Sequence, residues 1–317
     1  MKLALVFPGQ GSQKSGMGKA LAAEFAVARR VFEEVDDALS DHLSKVIFEG
    51  AASDLVRTDI TQPALMAVSM AVLAVLKDEA GLVPAQHAAL VAGHSLGEYT
   101  ALAAAGALGL ADAARTLRAR GRAMQKASPG DAGAMTAVLG IDDIARIDEV
   151  AKRAAAATGR VCVVANDNAP GQVVLSGNTV AIEQAEVFAK EAGAKRAVRL
   201  EVAAAFHSPL MAPAAKEMKD VLAAIAFKAP SPPVVANVTA AAVRDAAKVA
   251  DLLVEQITGR VRWRETVAAM AKEGVDTVVE VGSGKVLTGL VKRIDPALAT
   301  FAVETAGDIK AFAEARK

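Results

Sequence analysis

Short apolar runs alternate along most of the chain with longer stretches in which apolar residues recur at helical spacing. The runs Leu3–Phe7 and Thr277–Val281 are typical of buried strands, and the longer stretches predict helices. This alternation predicts an α/β fold with a largely parallel sheet. The last dozen residues show only a weak pattern. The other predicted strands are Ala88–Ala92 and Pro233–Ala236, and the predicted helices are Lys19–Val35, Thr61–Asp78, Tyr99–Leu108, Asp112–Ala127, Pro213–Ala224, Val249–Ile257 and Trp263–Lys272.

The middle of the chain has a different pattern. Ser128–Asp131 interrupts the helical spacing, and six elements then follow in close order. Their βαββαβ order is that of the ferredoxin-like motif. We therefore expect a large α/β domain of residues 1–130 and 201–317, its mainly parallel sheet flanked by helices, with a ferredoxin-like subdomain inserted at residues 131–200. The six elements are the strand Ala134–Leu139, the helix Asp142–Ala157, the strands Val161–Asn166 and Gln172–Leu175, the helix Val180–Ala192 and the strand Arg196–Val202.

Composition narrows the classes of function. No apolar run approaches the roughly 20 residues that a membrane span needs, so we expect no membrane segment. Thirty-six basic residues balance 36 acidic ones, and the single Trp and single Tyr leave little for base stacking, so we expect no nucleic-acid binding. The only cysteine, Cys162, cannot form an internal disulfide and is typical of the reducing cytoplasm. Four scattered histidines and one cysteine give no metal-ligand spacing.

A serine lies between two glycines at the junction of a predicted strand and a predicted helix. The segment Gly93–Gly97 has the Gly-x-Ser-x-Gly order of the nucleophile elbow, a tight turn that lifts the serine hydroxyl clear of the sheet. The helix N-terminus that follows offers N–H groups that stabilise an oxyanion. Ser95 is therefore the candidate nucleophile of a hydrolase-like domain. A glycine-rich turn with an incidental serine is the alternative.

A serine nucleophile needs a base, and His207 is the candidate by elimination. His94 is adjacent to Ser95 on a tight turn, where neighbouring side chains usually point apart, and His42 and His87 lie in polar segments. A hydrolase would also orient its histidine with an acid in the order Ser, acid, His. No acid between the two residues is convincing in that role, which argues against an ordinary α/β-hydrolase.

Arginine residues crowd the second predicted helix after the elbow. Arg118 and Arg122 fit a solvated basic face, whereas the spacing of Arg120 allows it to face inward. A guanidinium fork there would bind a carboxylate in bidentate fashion. The candidate pocket therefore combines a nucleophile with a site for an anionic group.

Seven segments carry a family resemblance: Phe7–Gln13, Thr61–Leu65, Gly93–Tyr99, Arg120–Gln125, Asn168–Val174, Ala205–Ser208 and Glu280–Leu287. In this order and over nearly the whole chain they resemble the malonyl-CoA:acyl carrier protein transacylases, the acyltransferase family of type II fatty-acid synthesis. The resemblance implies transfer of malonyl from malonyl-CoA to the phosphopantetheine thiol of acyl carrier protein through a malonyl-serine ester. That reaction would supply fatty-acid elongation.

The resemblance implies a role for each matching catalytic residue. Ser95 attacks the thioester and His207 takes its proton. The backbone carbonyl of Gln256 orients the histidine, which accounts for the missing acid. The backbone N–H groups of Gln10 and Leu96 form the oxyanion hole.

Four further positions match residues that bind the substrate in this family. Arg120 holds the free malonyl carboxylate, and we expect it to select malonyl over acetyl groups because a buried guanidinium without a partner is costly. Phe206 is expected to crowd the α-carbon and disfavour methylmalonyl groups. Gln62 and Asn168 are expected to line the pocket.

The resemblance also implies the partners. The substrates are malonyl-CoA and holo-acyl carrier protein, and no cofactor is required because the coenzyme A thioester is itself a substrate. We expect a cytoplasmic monomer. Basic residues are candidates for docking the acidic carrier protein: Lys195, Arg196, Lys285, Lys292 and Arg293.

Two positions depart from the family pattern. Many relatives have a proline where this chain has Ser283, and an apolar residue often stands where it has Asp167. The serine is expected to alter loop stiffness only. Asp167 would place a charge near the mouth of the pocket, and the sequence offers no account of it.

Three other functions remain open at this point. A thioesterase would release free malonate, and an acyltransferase of a polyketide assembly line would share both chemistry and residues. A non-catalytic module that binds carrier protein would keep the fold alone. The presence of Ser95, His207 and Arg120 together argues against that last alternative.

Overall fold

The structure is a computed structural model that describes residues 1–127, 133–202 and 204–316. Its strands are β1 (Leu3–Phe7), β2 (Ala88–Gly93), β3 (Gly133–Leu139), β4 (Cys162–Ala169), β5 (Gln172–Asn178), β6 (Arg196–Arg199), β7 (Val234–Val235), β8 (Ala242–Val243), β9 (Thr277–Val281) and β10 (Ala299–Val303). Its α-helices are α1 (Lys19–Glu24), α2 (Ala26–Leu39), α3 (Leu43–Glu49), α4 (Thr58–Ala80), α5 (Pro84–His87), α6 (Leu96–Ala104), α7 (Leu110–Ala127), α8 (Ile144–Thr158), α9 (Thr179–Glu191), α10 (Ala212–Ala223), α11 (Val249–Thr258), α12 (Trp263–Lys272), α13 (Val286–Ile294) and α14 (Ala306–Ala315).

The larger sheet confirms the predicted α/β class. Its strand order is β10-β9-β1-β2-β7-β8, and all neighbours are parallel except the antiparallel pair β7–β8. The central strand β1 is buried along its whole length, as its five apolar residues require. Apolar side chains of α4, α6 and α7 cover one face, and α12 and α13 cover the other. The sheet therefore lies between two helical layers, and the loops at the ends of its strands are available to form a site.

The second sheet confirms the predicted ferredoxin-like order. It is antiparallel, with strand order β4-β5-β3-β6. Helices α8 and α9 pack on one face through Ile147, Val150 and Ile182. The opposite face carries Met135 and Val174, which contact apolar residues ahead of α10. The division into two domains stays a prediction, since its boundary at residues 130 and 131 lies outside the described residues.

Several predicted boundaries are wrong for local reasons. The expected helix Lys19–Val35 is two helices, because Phe25 adopts extended angles of φ −115° and ψ 119°. The helix after the elbow begins at Leu96 and ends at Ala104, earlier than predicted at both ends. The weakly patterned C-terminus forms α14, whose Thr305 and Asp308 make a reciprocal capping box.

Helix α4 has the length and composition of a membrane span. However, 83% of its most apolar 18-residue window is buried inside the fold. It packs against α2 and α7, and its Leu65, Val68 and Val72 are buried in the same apolar core. Its apolar character is therefore explained by its position in the core.

Candidate active site

The predicted elbow is present between β2 and α6. Ser95 has φ 54° and ψ −109°, a strained conformation for a residue other than glycine. A Cβ atom on Gly93 would overlap the carbonyl of Gly97, and one on Gly97 would overlap the carbonyl of Phe7. These two positions therefore require glycine. The turn places Ser95 at the carboxyl edge of the parallel sheet, immediately before the N-terminus of α6.

His207 lies within hydrogen-bond distance of the nucleophile, 2.8 Å from its Nε2 to Ser95 Oγ. Its Nδ1 faces two backbone carbonyls, Gln256 O at 2.8 Å and Gly259 O at 3.2 Å. Since carbonyls only accept hydrogen bonds, Nδ1 carries the proton and Nε2 is free to accept one from the serine. Backbone carbonyl oxygens therefore contact His207 where a hydrolase would place an acid. The resemblance implied this arrangement for the carbonyl of Gln256.

The pKa of His207 differs from the ordinary value assumed for a histidine base. Burial lowers this pKa to about 3, and the nearby charge of Arg120 acts in the same direction. The carbonyls of Gln256 and Gly259 oppose the shift only partly. The imidazole of His207 is therefore neutral at physiological pH, which is the state that a general base requires.

Arg120 is 1% exposed and reaches the same point from α7. Its Nη1 donates to Gln62 Oε1 at 2.8 Å, and its Nη2 donates to Gln256 Oε1 at 2.8 Å and to Ser95 Oγ at 3.1 Å. All three acceptors are neutral, and none of the ion pairs among residues 1–127, 133–202 and 204–316 includes Arg120. Burial lowers the pKa of this guanidinium. The site thus holds a buried cation without an anionic hydrogen-bond partner.

The neighbours of Arg120 on α7 correct one expectation. Arg122 is exposed, as predicted, but Arg118 is buried instead of solvated. The reason is that α7 packs against α2, and Arg118 Nη1 donates to Asp41 Oδ2 at 2.9 Å. That hydrogen bond lowers the pKa of the Asp41 carboxyl.

A cavity of about 110 Å³ opens beside the nucleophile. Gln10 and Leu96, the expected oxyanion donors, both line it. Leu96 is the first residue of α6, where a backbone N–H has no acceptor within its own helix. Apolar side chains from the small sheet and the segment after it form the opposite wall: Met135, Leu200, Val202 and Phe206.

Asn168 contacts a residue of the cavity wall. Its Oδ1 lies 2.9 Å from His94 Nε2, and His94 forms part of the cavity wall. Burial lowers the pKa of His94, so the ring is a neutral partner for the amide. The pocket-lining role predicted for Asn168 therefore stays a prediction, while its contact links β4 to the elbow.

The two departures from the family pattern have structural explanations. Asp167 is buried, and its Oδ1 lies 2.6 Å from Arg264 Nη2, so its charge is paired between β4 of the small sheet and helix α12. Burial raises the pKa of Asp167, and Arg264 opposes that shift. The Ser283 hydroxyl donates to Ser12 O at 2.9 Å and thereby ties its loop to the segment after β1.

Two residues of the site were not foreseen from sequence. Asn237 lies two residues after β7, and its side chain bonds to the backbone on both sides of the elbow. Glu98 lies in the first turn of α6 and is buried, and burial raises its pKa to about 7. The sequence could have indicated Asn237, because it follows a predicted parallel strand. Binding sites of α/β proteins lie at the carboxyl ends of such strands.

Known proteins resemble this chain over almost its whole length. The acyl transferase domain family matches residues 4–299. The malonyl CoA-acyl carrier protein transacylase of Bacillus subtilis (strain 168) is 46% identical over 305 residues, covering 95% of this chain and 93% of that protein. The structure of an acyl-carrier-protein S-malonyltransferase from Bartonella henselae has a TM-score of 0.95 at 50% identity, covering 99% of both chains. A malonyl-transacylase solved in complex with its type II PKS acyl-carrier protein has a TM-score of 0.95 at 40% identity, covering 99% of this chain and 100% of that one.

Proposed function

The chain belongs to the acyl transferase domain family, among the malonyl CoA-acyl carrier protein transacylases, and we propose that it performs their reaction through an ester on Ser95. It transfers malonyl from malonyl-CoA to the phosphopantetheine thiol of acyl carrier protein and so supplies fatty-acid elongation. The steps use side chains, backbone groups and the thioester itself, with no cofactor.

The first half-reaction follows from the Ser95–His207 hydrogen bond. His207 Nε2 takes the hydroxyl proton as Ser95 Oγ attacks the thioester carbonyl, forming a tetrahedral oxyanion. Backbone N–H groups of Gln10 and Leu96 stabilise that oxyanion, each contributing on the order of 10²–10³ in rate. When the intermediate collapses, the C–S bond breaks and His207 returns the proton to the departing coenzyme A sulfur. The pantetheine thiol of the carrier then repeats these steps in the opposite direction.

One observation carries the choice of malonyl: the buried guanidinium of Arg120 beside the nucleophile has only neutral hydrogen-bond acceptors. A malonyl group offers a thioester carbon for Ser95 and a carboxylate for Arg120. The carboxylate oxygens replace neutral acceptors on the guanidinium, forming the charge-assisted bonds that are strongest in a dry site. An acetyl group leaves the guanidinium with neutral acceptors only.

Two of the expected docking residues, Lys195 and Arg293, lie close to the turn between β4 and β5. Lys195 packs beside Gly140, whose N–H donates to Gly171 O at 3.0 Å, and Arg293 donates to Gln172 Oε1 at 3.0 Å. We propose that these exposed cations bind acidic carrier protein. Reversing the charge of Lys195 and Arg293 together should raise the KM for carrier protein severalfold, while Ser95 acylation by malonyl-CoA stays unchanged. An unchanged KM would reject this surface.

A polyketide carrier is the second candidate acceptor. One similar structure holds a type II PKS acyl-carrier protein, and a polyketide biosynthesis protein from Burkholderia thailandensis is 40% identical over 92% of this chain, though only 24% of that longer protein is matched. The site chemistry is the same for both carriers. Parallel assays with fatty-acid and polyketide holo-carriers distinguish them by kcat/KM.

Intact-mass measurement tests the proposed function. Wild-type protein incubated with malonyl-CoA alone should gain one malonyl group, and peptide mapping should locate it on Ser95. Acetyl-CoA should give little adduct, and Ser95→Ala should give none. Free malonate without an adduct would indicate a thioesterase, and neither adduct nor turnover would indicate a binding module.

A further inference from the structure

A buried carboxylate lies behind both members of the catalytic pair. Glu98 is 3% exposed and lies three residues after the nucleophile. Its Oε2 accepts the Asn237 backbone N–H at 3.0 Å and the Gln256 Nε2–H at 2.8 Å. The proposed transfer has no step that uses the Glu98 side chain. Its two hydrogen bonds therefore indicate another role.

Asn237 connects this carboxylate to the nucleophile. Asn237 Oδ1 accepts the Ser95 N–H at 2.8 Å, and Asn237 Nδ2 donates to Gly93 O at 2.7 Å. These bonds hold the backbone on both sides of the strained serine. A strained conformation persists only where its surroundings fix it. The Glu98–Asn237 bond therefore holds in place the residue that fixes the elbow.

Gln256 connects the same carboxylate to the base and the cation. Its amide Nε2 donates to Glu98 and to Ser95 O, the latter at 3.0 Å, and its Oε1 accepts from Arg120 at 2.8 Å. A flipped amide would turn Nε2–H donors toward the Arg120 donors. An acceptor at Glu98 therefore fixes the orientation of the amide, and the backbone carbonyl of the same Gln256 accepts from His207.

We propose that Glu98 is a positioning residue of this active site. Through Asn237 it sets the Ser95 elbow, and through Gln256 it sets the hydrogen-bond acceptors of His207 and Arg120. The inference rests on the proposed transferase function, and Glu98 itself touches no reacting atom. Its role depends on accepting two hydrogen bonds.

Two substitutions separate this role from a general packing effect. Glu98→Leu removes the oxygen that accepts both hydrogen bonds, and since small misplacements of catalytic groups are costly, we expect the Ser95 acylation rate constant to fall about 100-fold. Glu98→Gln retains an acceptor oxygen and should recover at least half of that loss on a logarithmic scale. A fluorophosphonate probe, which phosphonylates an activated serine and needs no carboxylate contact, should slow in parallel.

Glu280→Leu is the matched control. Glu280 is also buried, and its carboxylate accepts the Leu287 and Thr288 backbone N–H groups at 3.0 and 2.8 Å, away from the nucleophile. It should lower the midpoint of thermal unfolding but leave acylation per folded molecule unchanged. If Glu98→Leu does not fold, Asn237→Ala replaces it and should slow phosphonylation at Ser95.

The outcomes separate this inference from the function on which it rests. Wild-type rates in Glu98→Leu, or an equal slowing in Glu280→Leu at equal folded fraction, would overturn the positioning role. So would an unchanged phosphonylation rate in Asn237→Ala if that variant is needed. A wild type that is phosphonylated but never malonylated would reject the malonyl function, while slow phosphonylation of Glu98→Leu would still support the role of Glu98.

Discussion

At the scale of single residues, burial determines what each site group does. Burial lowers the pKa of the Arg120 guanidinium, lowers the pKa of His207 to about 3 and raises the pKa of Glu98 to about 7. These shifts depend on contacts that sequence alone does not specify. Glu98, for example, bonds to residues 139 and 158 positions away.

The contact between Ser95 and His207 could be expected from sequence, because local order singled out the serine and elimination singled out the histidine. A Gly-x-Ser-x-Gly segment specifies its own turn, and the chain has only four histidines. Asn237 and Glu98 were not predictable in the same way, since an asparagine after a strand and a glutamate in a first helical turn are ordinary residues. Their roles depend on the pairing of β7 with β2, which brings Asn237 beside the elbow.

The pKa of His207 gives a prediction about pH. A base with a lowered pKa stays neutral to lower pH, so kcat/KM for Ser95 acylation should not decline around pH 6.5, where an ordinary histidine protonates. Any step near pH 7 belongs to Glu98 and should disappear in Glu98→Gln. Stopped-flow acylation from about pH 8 to about pH 5 measures this, and a step near 6.5 that persists in Glu98→Gln contradicts it.

Substitution of Arg120 gives a prediction about specificity. Arg120→Ala should lower kcat/KM for malonyl-CoA by on the order of 10²-fold, since losing one partner of a buried charge pair costs about 2–5 kcal/mol. Acetyl-CoA, which has no carboxylate, should lose far less. Arg122→Ala, a change of the exposed arginine on the same helix, is the control. An intact preference for malonyl in Arg120→Ala would exclude the proposed carboxylate contact.

At the scale of elements, strongly patterned segments were predicted well and the sheet edges poorly. The strand β1 and the helix α12 have the predicted bounds, since each has a marked apolar pattern. Strand β10 was missed because it lies at an edge, where most of its residues are only partly buried and carry no clear alternation. Helix α14 was missed although Thr305 and Asp308 at its start form a readable capping box.

The segment between α11 and α12 joins the two sheets beside the base. Val261 N donates to Ala165 O at 2.8 Å, and Asp167 N donates to Val261 O at 2.9 Å, so Val261 pairs with β4. The Asp167–Arg264 ion pair lies across this junction. Gly259, two residues before Val261, supplies one of the carbonyls that face His207. The small sheet is thereby tied to the segment that orients the base.

This junction predicts a coupled loss of stability. Asp167→Ala should lower the free energy of unfolding by about 1–3 kcal/mol, because it leaves Arg264 without its anion at a site where that side chain is 21% exposed. The double change Asp167→Ala with Arg264→Met should recover part of that loss. Urea denaturation of both single variants and the double variant measures the coupling. Strictly additive losses would show that the pair does not act as a unit.

At the scale of the whole molecule, the two sheets contribute different parts of the candidate site. The parallel sheet holds Ser95 at its carboxyl edge, and the apolar face of the small sheet covers the cavity with Met135 and neighbouring residues. A malonyl ester must survive there until carrier protein arrives, so exclusion of water is part of the function. We expect this apolar wall to protect the proposed Ser95 ester from hydrolysis.

Discharge of isolated malonyl-enzyme tests this account most directly. The malonyl-enzyme is first freed of coenzyme A. One sample is then incubated in buffer and another with excess holo-carrier protein. Mass spectrometry follows the malonyl-carrier and the free malonate that form in each. We expect rapid, nearly complete appearance of malonyl-carrier and slow hydrolysis in buffer. Release of free malonate at the same rate with and without carrier, and no malonyl-carrier, would contradict the transferase mechanism.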